Sequence, residues 1–318
     1  MSKNIIVTGC SGFIGMHLCK SLLDDGFYVK GIDNMNRYYS VKLKKLRLEK
    51  LKEFKNFSFE YADISNKKAL KDIFNSFKPK IVINLAAQAG VRYSLKNPYA
   101  YVDSNILGFL NILENCRHYN VEGLVYASSS SVYGANTKTP FSISDDVNKP
   151  ISIYAASKRA NELMAYTYNQ LFDLKCTGLR FFTVYGPWGR PDMAMYIFAD
   201  RIKNKKKISV FNNGIMERDF TYIDDIISGI RKAIAKNYSF EIFNLGNNCS
   251  EDLMNMISEI ETYLGEKAII NFEKMQPGDV RKTFADIDYS NKMLGYSPKI
   301  SIKKGIPLFL DWFLKYSS

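Results

Sequence analysis

Short apolar runs alternate with longer amphipathic stretches through the first half of the chain. Ile5-Ile6-Val7 reads as a strand buried on both faces, and residues 13–25 as the helix that follows it. Strands at 28–32 and 57–61 flank a helix over 41–54. Asn66 caps a further helix running to residue 76. A fourth strand at 80–85, a helix over 98–117 and a fifth strand at 123–126 extend the alternation. Near-continuous apolar strands alternating with helices predict an α/β fold, a doubly wound parallel sheet covered on both faces. Past residue 183 the pattern loosens. Pro187, Gly189 and Pro191 interrupt it, and short segments such as 241–245 and 251–264 follow. The expected division is a sheet domain over 1–182 and a smaller α/β lobe over 183–318, with some of its segments returning to the sheet. No Gly/Ser/Pro linker separates the two.

Composition narrows the classes. The chain has 318 residues, 46% hydrophobic and 24% charged, enough for one sizeable core and a smaller lobe. No fixed-period repeat is present, which excludes a solenoid. Cys10, Cys19, Cys116, Cys176 and Cys249 are scattered and never form a C-x-x-C pair, and His17 and His118 are the only histidines. No disulfide framework and no metal centre is expected. Residues 1–8 lack a signal-peptide core, and no apolar stretch reaches the ~18 residues a membrane span needs. The expectation is a cytoplasmic protein with no membrane partner.

The net charge is +12 and the sequence pI about 9.2. Such a balance suits either a nucleic-acid surface or a lysine-rich exterior around a site for an anionic small molecule. The basic run 42–52 favours the second. Its Leu43, Leu46 and Leu51 fall roughly on one helical face, which leaves the lysines to water. No nucleic-acid partner is expected.

Directly after the first strand comes Thr8-Gly9-Cys10-Ser11-Gly12-Phe13-Ile14-Gly15. Gly9 permits a tight turn, Gly12 lets the backbone approach a pyrophosphate, and Gly15 lets the helix pack close on the sheet. Three glycines alone are a weak signal. Between a strand and a helix they are a dinucleotide site of the Rossmann kind, with phosphates at the helix N-terminus. The second strand ends at Asp33, where a carboxylate binds both ribose hydroxyls and repels a 2′-phosphate, favouring NAD over NADP. Arg37 is the competing feature, since a nearby arginine accepts that phosphate. Asp63-Ile64 suits either contact with the adenine or a helix N-cap region.

Tyr154-Ala155-Ala156-Ser157-Lys158 puts a phenol and an amine on one helical face. A phenol ionises near pH ~10 in water, and a neighbouring cation lowers that toward neutrality. The fifth strand runs into Ser128-Ser129-Ser130-Ser131, which brings hydroxyls to a strand's carboxyl end, where such sheets bind ligands. Each stretch alone reads equally well as a surface helix or a polar turn. Glycine turn, acidic strand end, serine strand end and Tyr/Lys helix in that order form a catalytic constellation.

These residues resemble the extended short-chain dehydrogenase/reductases of the NAD-dependent epimerase/dehydratase kind, and the likeness runs almost the full length. The most similar subgroup is the UDP-glucuronate 4-epimerases, on three stretches. They are Leu85-Ala86-Ala87-Gln88-Ala89-Gly90-Val91-Arg92-Tyr93-Ser94, residues 126–134, and residues 180–193, Arg180-Phe181-Phe182-Thr183-Val184-Tyr185-Gly186-Pro187-Trp188-Gly189-Arg190-Pro191-Asp192-Met193. The resemblance implies Ser129 as the catalytic hydroxyl, Tyr154 as the base and Lys158 as its activator. It implies an NAD site of Gly9, Gly12, Phe13, Ile14, Gly15, Asp33, Asn34, Asp63, Ile64, Leu85, Ala86, Ala87 and Asn105, with Tyr154 and Lys158. It implies substrate contacts from Arg92, Ser129, Ser130, Thr183, Arg190, Arg218, Asp279 and Arg281.

The implied activity is C4 epimerisation of a UDP-sugar, most simply UDP-glucuronate to UDP-galacturonate. Tyr154 takes the 4-hydroxyl proton while the C4 hydride passes to NAD and returns to the other face of a 4-keto sugar. Dehydratases of this kind carry an acidic pair where this chain has Ser130-Ser131, and the decarboxylases carry a Glu at the Ser131 position. Their absence argues for epimerisation. Thr183 and Arg190 resemble the residues that hold the glucuronate carboxylate. A neutral or N-acetylated UDP-hexose is the alternative, and a non-enzymatic dinucleotide-binding scaffold the remote one. The family also implies a homodimer through helices near 98–117 and 152–172, where Leu107, Phe109, Leu110 and Leu113 leave apolar surface to spare, and a place in polysaccharide precursor supply.

Overall fold

Alternate residues of the first strand enter two different cores: Ile5 and Val7 one, Ile6 the other. A strand of period two buried on both faces belongs in the middle of a covered sheet. The computed structural model describes residues 4–317. Its central sheet holds β1 (Asn4–Thr8), β2 (Tyr28–Asp33), β3 (Phe57–Tyr61), β4 (Ile81–Asn84), β5 (Gly123–Ser129), β6 (Cys176–Phe181) and an edge strand, Phe240–Leu245. From that edge the order is Phe240–Leu245, β6, β5, β4, β1, β2, β3. Every neighbouring pair is parallel. The order reverses between β1 and β4, so a crevice opens beyond their carboxyl ends.

Chain from beyond residue 183 does return to this sheet. The helix Ile223–Lys236 packs on α1 (Phe13–Asp24), and Phe240–Leu245 pairs with β6. The remaining segments build a lobe of short paired strands, Thr183–Tyr185 with Phe220–Tyr222, Lys207–Phe211 with Ile269–Glu273 and Glu217–Arg218 with Glu251–Asp252, and the helices Ala194–Lys203, Leu253–Leu264, Asp288–Leu294 and Ile302–Tyr316.

Two expectations change. The helix α2 (Val41–Lys52) buries Leu43, Lys44, Arg47, Leu48 and Leu51, and leaves Leu46 exposed. Its buried stripe is therefore 44, 47, 48 and 51, the i, i+3, i+4, i+7 spacing, with charges at the first two positions. Leu43 and Leu51 are buried as expected; Lys44 and Arg47 are not left to water. The run expected as one helix over 98–117 is instead Tyr99–Tyr101, a π-helical stretch Val102–Leu107, and Gly108–His118. The cause is Asn105. Its carbonyl accepts from Asn161 Nδ2 at 2.6 Å, and its side chain bonds both backbone groups of Gln88. A side chain entering the helical ladder widens the turn. In the same run Phe109 and Leu113 are buried in the protein's own core, so of the four apolar residues only Leu107 and Leu110 stay exposed.

The helix Ile153–Phe172 is fixed to the sheet by one carboxylate. Glu162 accepts from Ser128 Oγ at 2.7 Å and from Arg180 Nε and Nη2 at 2.8 and 2.9 Å, with Arg159 Nη1 at 3.0 Å. Arg180 continues to Tyr133 Oη, which donates to Asn244 Oδ1. Helix, β5, β6 and the edge strand thus share one buried polar network. Removing one partner of a buried ion pair strands the other's charge. Glu162→Ala should cost about 3–5 kcal/mol, measured as a lower urea midpoint at unchanged slope.

Candidate active site

The glycine turn follows from close packing. Gly9 has φ +70°, and a Cβ there would lie 2.8 Å from the Ala86 nitrogen. A Cβ on Gly15 would strike the Gly9 carbonyl. Gly12 caps α1 with no side chain, and no acid occupies the first turn, so the helix N-terminus is left for an anion. The cleft in front of it is lined by Gly9, Gly12, Phe13, Ile14, Gly15, Asp33, Asn34, Ile64, Leu85, Ala86 and Ala87, and further along by Ser129, Tyr154 and Lys158. Asp33 closes the far end. Its carboxylate accepts from Met35 N at 2.8 Å and Ser11 N at 3.1 Å. Burial raises its pKa, against those bonds and the charges of Lys44 and Arg47.

Two expected cofactor residues, and the arginine that competed with the NAD reading, lie differently. Asp63 is outside the cleft lining: it accepts from Asn34 Nδ2 at 2.6 Å and from the Ser65 N–H and hydroxyl, just ahead of the helix capped by Asn66. Asn105 stands one layer behind the wall, while its neighbour Ser104 lines the cleft. Arg37 is exposed and outside the cleft; Lys44, bonded to Asn36, joins Lys158 and Arg190 on the lining instead.

Ser129, Tyr154 and Lys158 come together. Ser129 Oγ accepts from Ser131 Oγ at 2.9 Å and Ser131 N at 3.2 Å. Both acceptor sites of the hydroxyl are filled, which leaves its proton to donate. It hydrogen-bonds Tyr154. Burial pushes the Tyr154 phenol up, and the Ser129 bond and the Arg190 charge pull it back. The Lys158 ammonium donates to the Ala127 carbonyl at 2.8 Å, and burial lowers its pKa to about 8. Ser129 and Arg190 both ease Tyr154 toward phenolate. The i+4 lysine anchors β5 and lines the cleft.

A second space opens toward the lobe, lined by Arg92, Thr183, Arg190, Arg218 and Asp279; a third, between the two, includes Ser129, Ser130, Thr183, Arg190, Arg218 and Asp279. Of the expected substrate residues only Arg281 faces away: its side chain is exposed, and its carbonyl accepts from Arg218 Nη1 at 3.0 Å. Arg92 pairs with Asp279 at 2.7 Å and lies over the Phe211 ring. Burial lowers the Arg218 pKa, as expected of a guanidinium facing a cleft with no bonded acid. Arg190 lines all three spaces. Its Nε and Nη2 grip Asp192, and Asp192 also accepts from Tyr38 Oη at 3.1 Å. Burial opposes the Arg190 charge, and Asp192 restores it.

Sequence reasoning missed Tyr38, Lys44, Arg47, Tyr101 and Asp192. The α2 spacing carries a signal for Lys44 and Arg47. Tyr101, fully buried, donates to the Ala89 and Gly90 carbonyls beside Tyr154 and carries none.

Sheet, glycine turn, acidic strand end and Ser–Tyr–Lys cluster define a dinucleotide-dependent enzyme of the Rossmann class. The chain belongs to the NAD dependent epimerase/dehydratase family, whose model matches residues 5–246. It is 45% identical to a UDP-glucuronate 4-epimerase of Thermodesulfobacterium geofontis, over 96% of this chain and 95% of that one. The fold superposes with TM-score 0.92 on a Bacillus cereus UDP-glucuronic acid 4-epimerase in complex with UDP-glucuronic acid and NAD. That protein is 34% identical, with 98% of this chain and 99% of that one covered. A Thermotoga maritima UDP-glucose 4-epimerase with UDP-glucose gives TM-score 0.90 at 29% identity, covering 99% and 100%.

The Lys158 shift has a measurable sign. An unfolded lysine keeps its proton up to pH about 10.4, whereas the folded one releases it at about 8. Between those values the unfolded state binds more protons, so this group makes stability rise with pH. Subtracting the urea-derived stability of Lys158→Met from that of the wild type should give a difference that climbs from pH 8 to 10. A flat difference would place Lys158 in water.

Proposed function

We propose that this protein is an NAD-dependent UDP-sugar 4-epimerase whose substrate is UDP-glucuronate and whose product is UDP-galacturonate. The observation that carries the sugar assignment is Arg190. It lies within reach of Tyr154's charge, lines both the cofactor and the sugar side of the cleft, and presents its Nη1 without a bond to any described residue. A planar guanidinium with one edge fixed on Asp192 and the other open suits a carboxylate.

The residues fit NAD. The Gly9 position has no room for a side chain, the α1 N-terminus offers unpaired N–H groups, and Asp33 disfavours a 2′-phosphate. Bound there, NAD supplies reversible hydride transfer at C4. Tyr154 takes the 4-hydroxyl proton at its Oη and returns it; the single Ser129 proton turns from Tyr154 to the sugar oxygen on which charge grows. Lys158 holds β5 and keeps a cation beside that proton path. Arg218, with Arg92 and Asp279 across the same cleft, binds the nucleotide diphosphate end, and Thr183 and Ser130 flank the sugar. Residues 183–318 serve mainly this nucleotide-sugar side and 1–182 the cofactor side.

Epimerisation is favoured over elimination and decarboxylation because Ser130 and Ser131 are not acids. The two acids lining the sugar spaces, Asp192 and Asp279, are each bound to an arginine. A carboxylate so paired is a poor general base. Five free cysteines support a cytoplasmic setting, and no helix among the described residues is long and apolar enough to cross a membrane. A homodimer is supported by Val102, Leu107, Leu110, Leu163 and Tyr166, which remain exposed on two neighbouring helices. Sedimentation equilibrium should give twice the chain mass, and Leu163→Arg the single mass.

Purified protein incubated with UDP-glucuronate and no added cofactor should yield UDP-galacturonate on anion-exchange chromatography. Tyr154→Phe should cut the rate about 10²–10⁴-fold. Arg190→Ala should raise KM for the uronate by the worth of a charged hydrogen bond, about 1.5–3 kcal/mol. Conversion of UDP-glucose alone would overturn the uronate assignment.

A further inference from the structure

Arg47 is among the largest side chains sealed in the interior, with no exposed surface. Among the described residues no carboxylate bonds it; Asp33 acts on it only through space. Its Nη1 donates to the Ser11 carbonyl at 3.2 Å and to Tyr39 Oη at 2.7 Å. Its Nη2 donates to the carbonyls of Trp188 and Gly189, the latter at 3.1 Å. Ser11 belongs to the glycine turn, and its N–H is held by Asp33. Trp188 and Gly189 immediately precede Arg190. One planar fork therefore joins the cofactor turn to the loop that carries Arg190.

The loop needs such a hold. Trp188 sits at φ +63°, uncommon for a bulky residue. Pro187 is held separately: its carbonyl bonds His17 Nε2 at 2.9 Å, with the imidazole's pKa drawn by burial down to about 4, so the ring is neutral. Both anchors, His17 on α1 and Arg47 on α2, come from the cofactor half. A cation buried without a bonded acid is a penalty that an apolar contact between the loops would avoid. What the fork adds is direction, since one planar group donates to two consecutive peptide carbonyls.

We propose that Arg47 is a positioning residue: by holding Trp188 and Gly189 against the cofactor turn it aims the Arg190 guanidinium, and so sets the preference for an acidic over a neutral sugar. The selectivity rests on the reading that Arg190 takes the substrate carboxylate; the loop-holding does not.

Trp188 and Trp312 are the only tryptophans, so in a Trp312→Phe background the fluorescence reports this loop alone. Two variants are compared in that background as NAD-loaded protein. Arg47→Lys keeps the charge and loses the fork; Arg47→Met keeps the bulk and loses both. Each should make Trp188 more accessible to acrylamide. Each should weaken UDP-glucuronate binding by calorimetry about tenfold or more, the worth of a charged hydrogen bond, with UDP-glucose changed less than about twofold. Unchanged quenching, or equal loss for both sugars, overturns the proposal. Arg190→Ala is measured alongside. If it leaves uronate affinity intact, the substrate reading falls, and unchanged or increased Trp188 quenching still decides whether Arg47 holds the loop.

Discussion

The Glu162 carboxylate is the constraint on which the site's geometry depends. It is buried and ionised, and it collects donors from three elements: Ser128 on β5, Arg180 on β6 and Arg159 on its own helix. Tyr154 and Lys158 lie two turns and one turn earlier on that helix, so their distance from Ser129 is set by where Glu162 docks. Hydrophobic packing alone tolerates sliding of a helix on a sheet. A carboxylate with bidentate and single partners at 2.7–3.0 Å does not. Lys158 adds a second tie to the same strand through Ala127, in the same register.

That rigidity makes the proton chemistry possible. Burial opposes ionisation of both Tyr154 and Lys158, raising the phenol and lowering the ammonium. The two groups are nearly matched in water; here the shifts separate them, so the phenol holds its proton more tightly than the ammonium does. Ser131 fills the acceptor sites of Ser129 and leaves the serine a donor; in the proposed reaction that proton meets the oxygen on which negative charge develops.

Most of the central sheet was legible because parallel strands buried on both faces leave apolar runs that no other element explains. β1, β4 and the start of β5 are such runs, and the structure has strands at each. The glycine turn was legible because its spacing answers to contacts within one turn, Gly15 against Gly9. What sequence did not reveal depends on residues far apart. The π-helical stretch is invisible in the 98–117 periodicity because the side chain that takes the Asn105 carbonyl out of the helical ladder is Asn161, on another helix. Asn105 and Asp63 fell in the right neighbourhood with their side chains turned elsewhere, and Arg281 presents its carbonyl where its guanidinium was expected. Motif position locates a segment; which way a side chain faces is set by competing partners such as Gln88, Asn34 and Arg218.

The α2 stripe shows the same limit for charge. Lysine and arginine on an amphipathic helix are read as solvated because burying them is costly. Here positions 44 and 47 fall on the buried side of a regular helical repeat, and the cost is offset by carbonyls and amides rather than by acids. A buried cation with neutral partners leaves a net positive field at its location. Lys44, Lys158, Arg92, Arg190 and Arg218 line the cleft spaces, with Arg47 behind them, against the three carboxylates of Asp33, Asp192 and Asp279, so cations outnumber acids there. Both expected ligands, a dinucleotide and a nucleoside diphosphate sugar, are anions. The basic character visible in the composition is thus partly interior, and it serves the binding of small anions where surface lysines alone would serve only solubility.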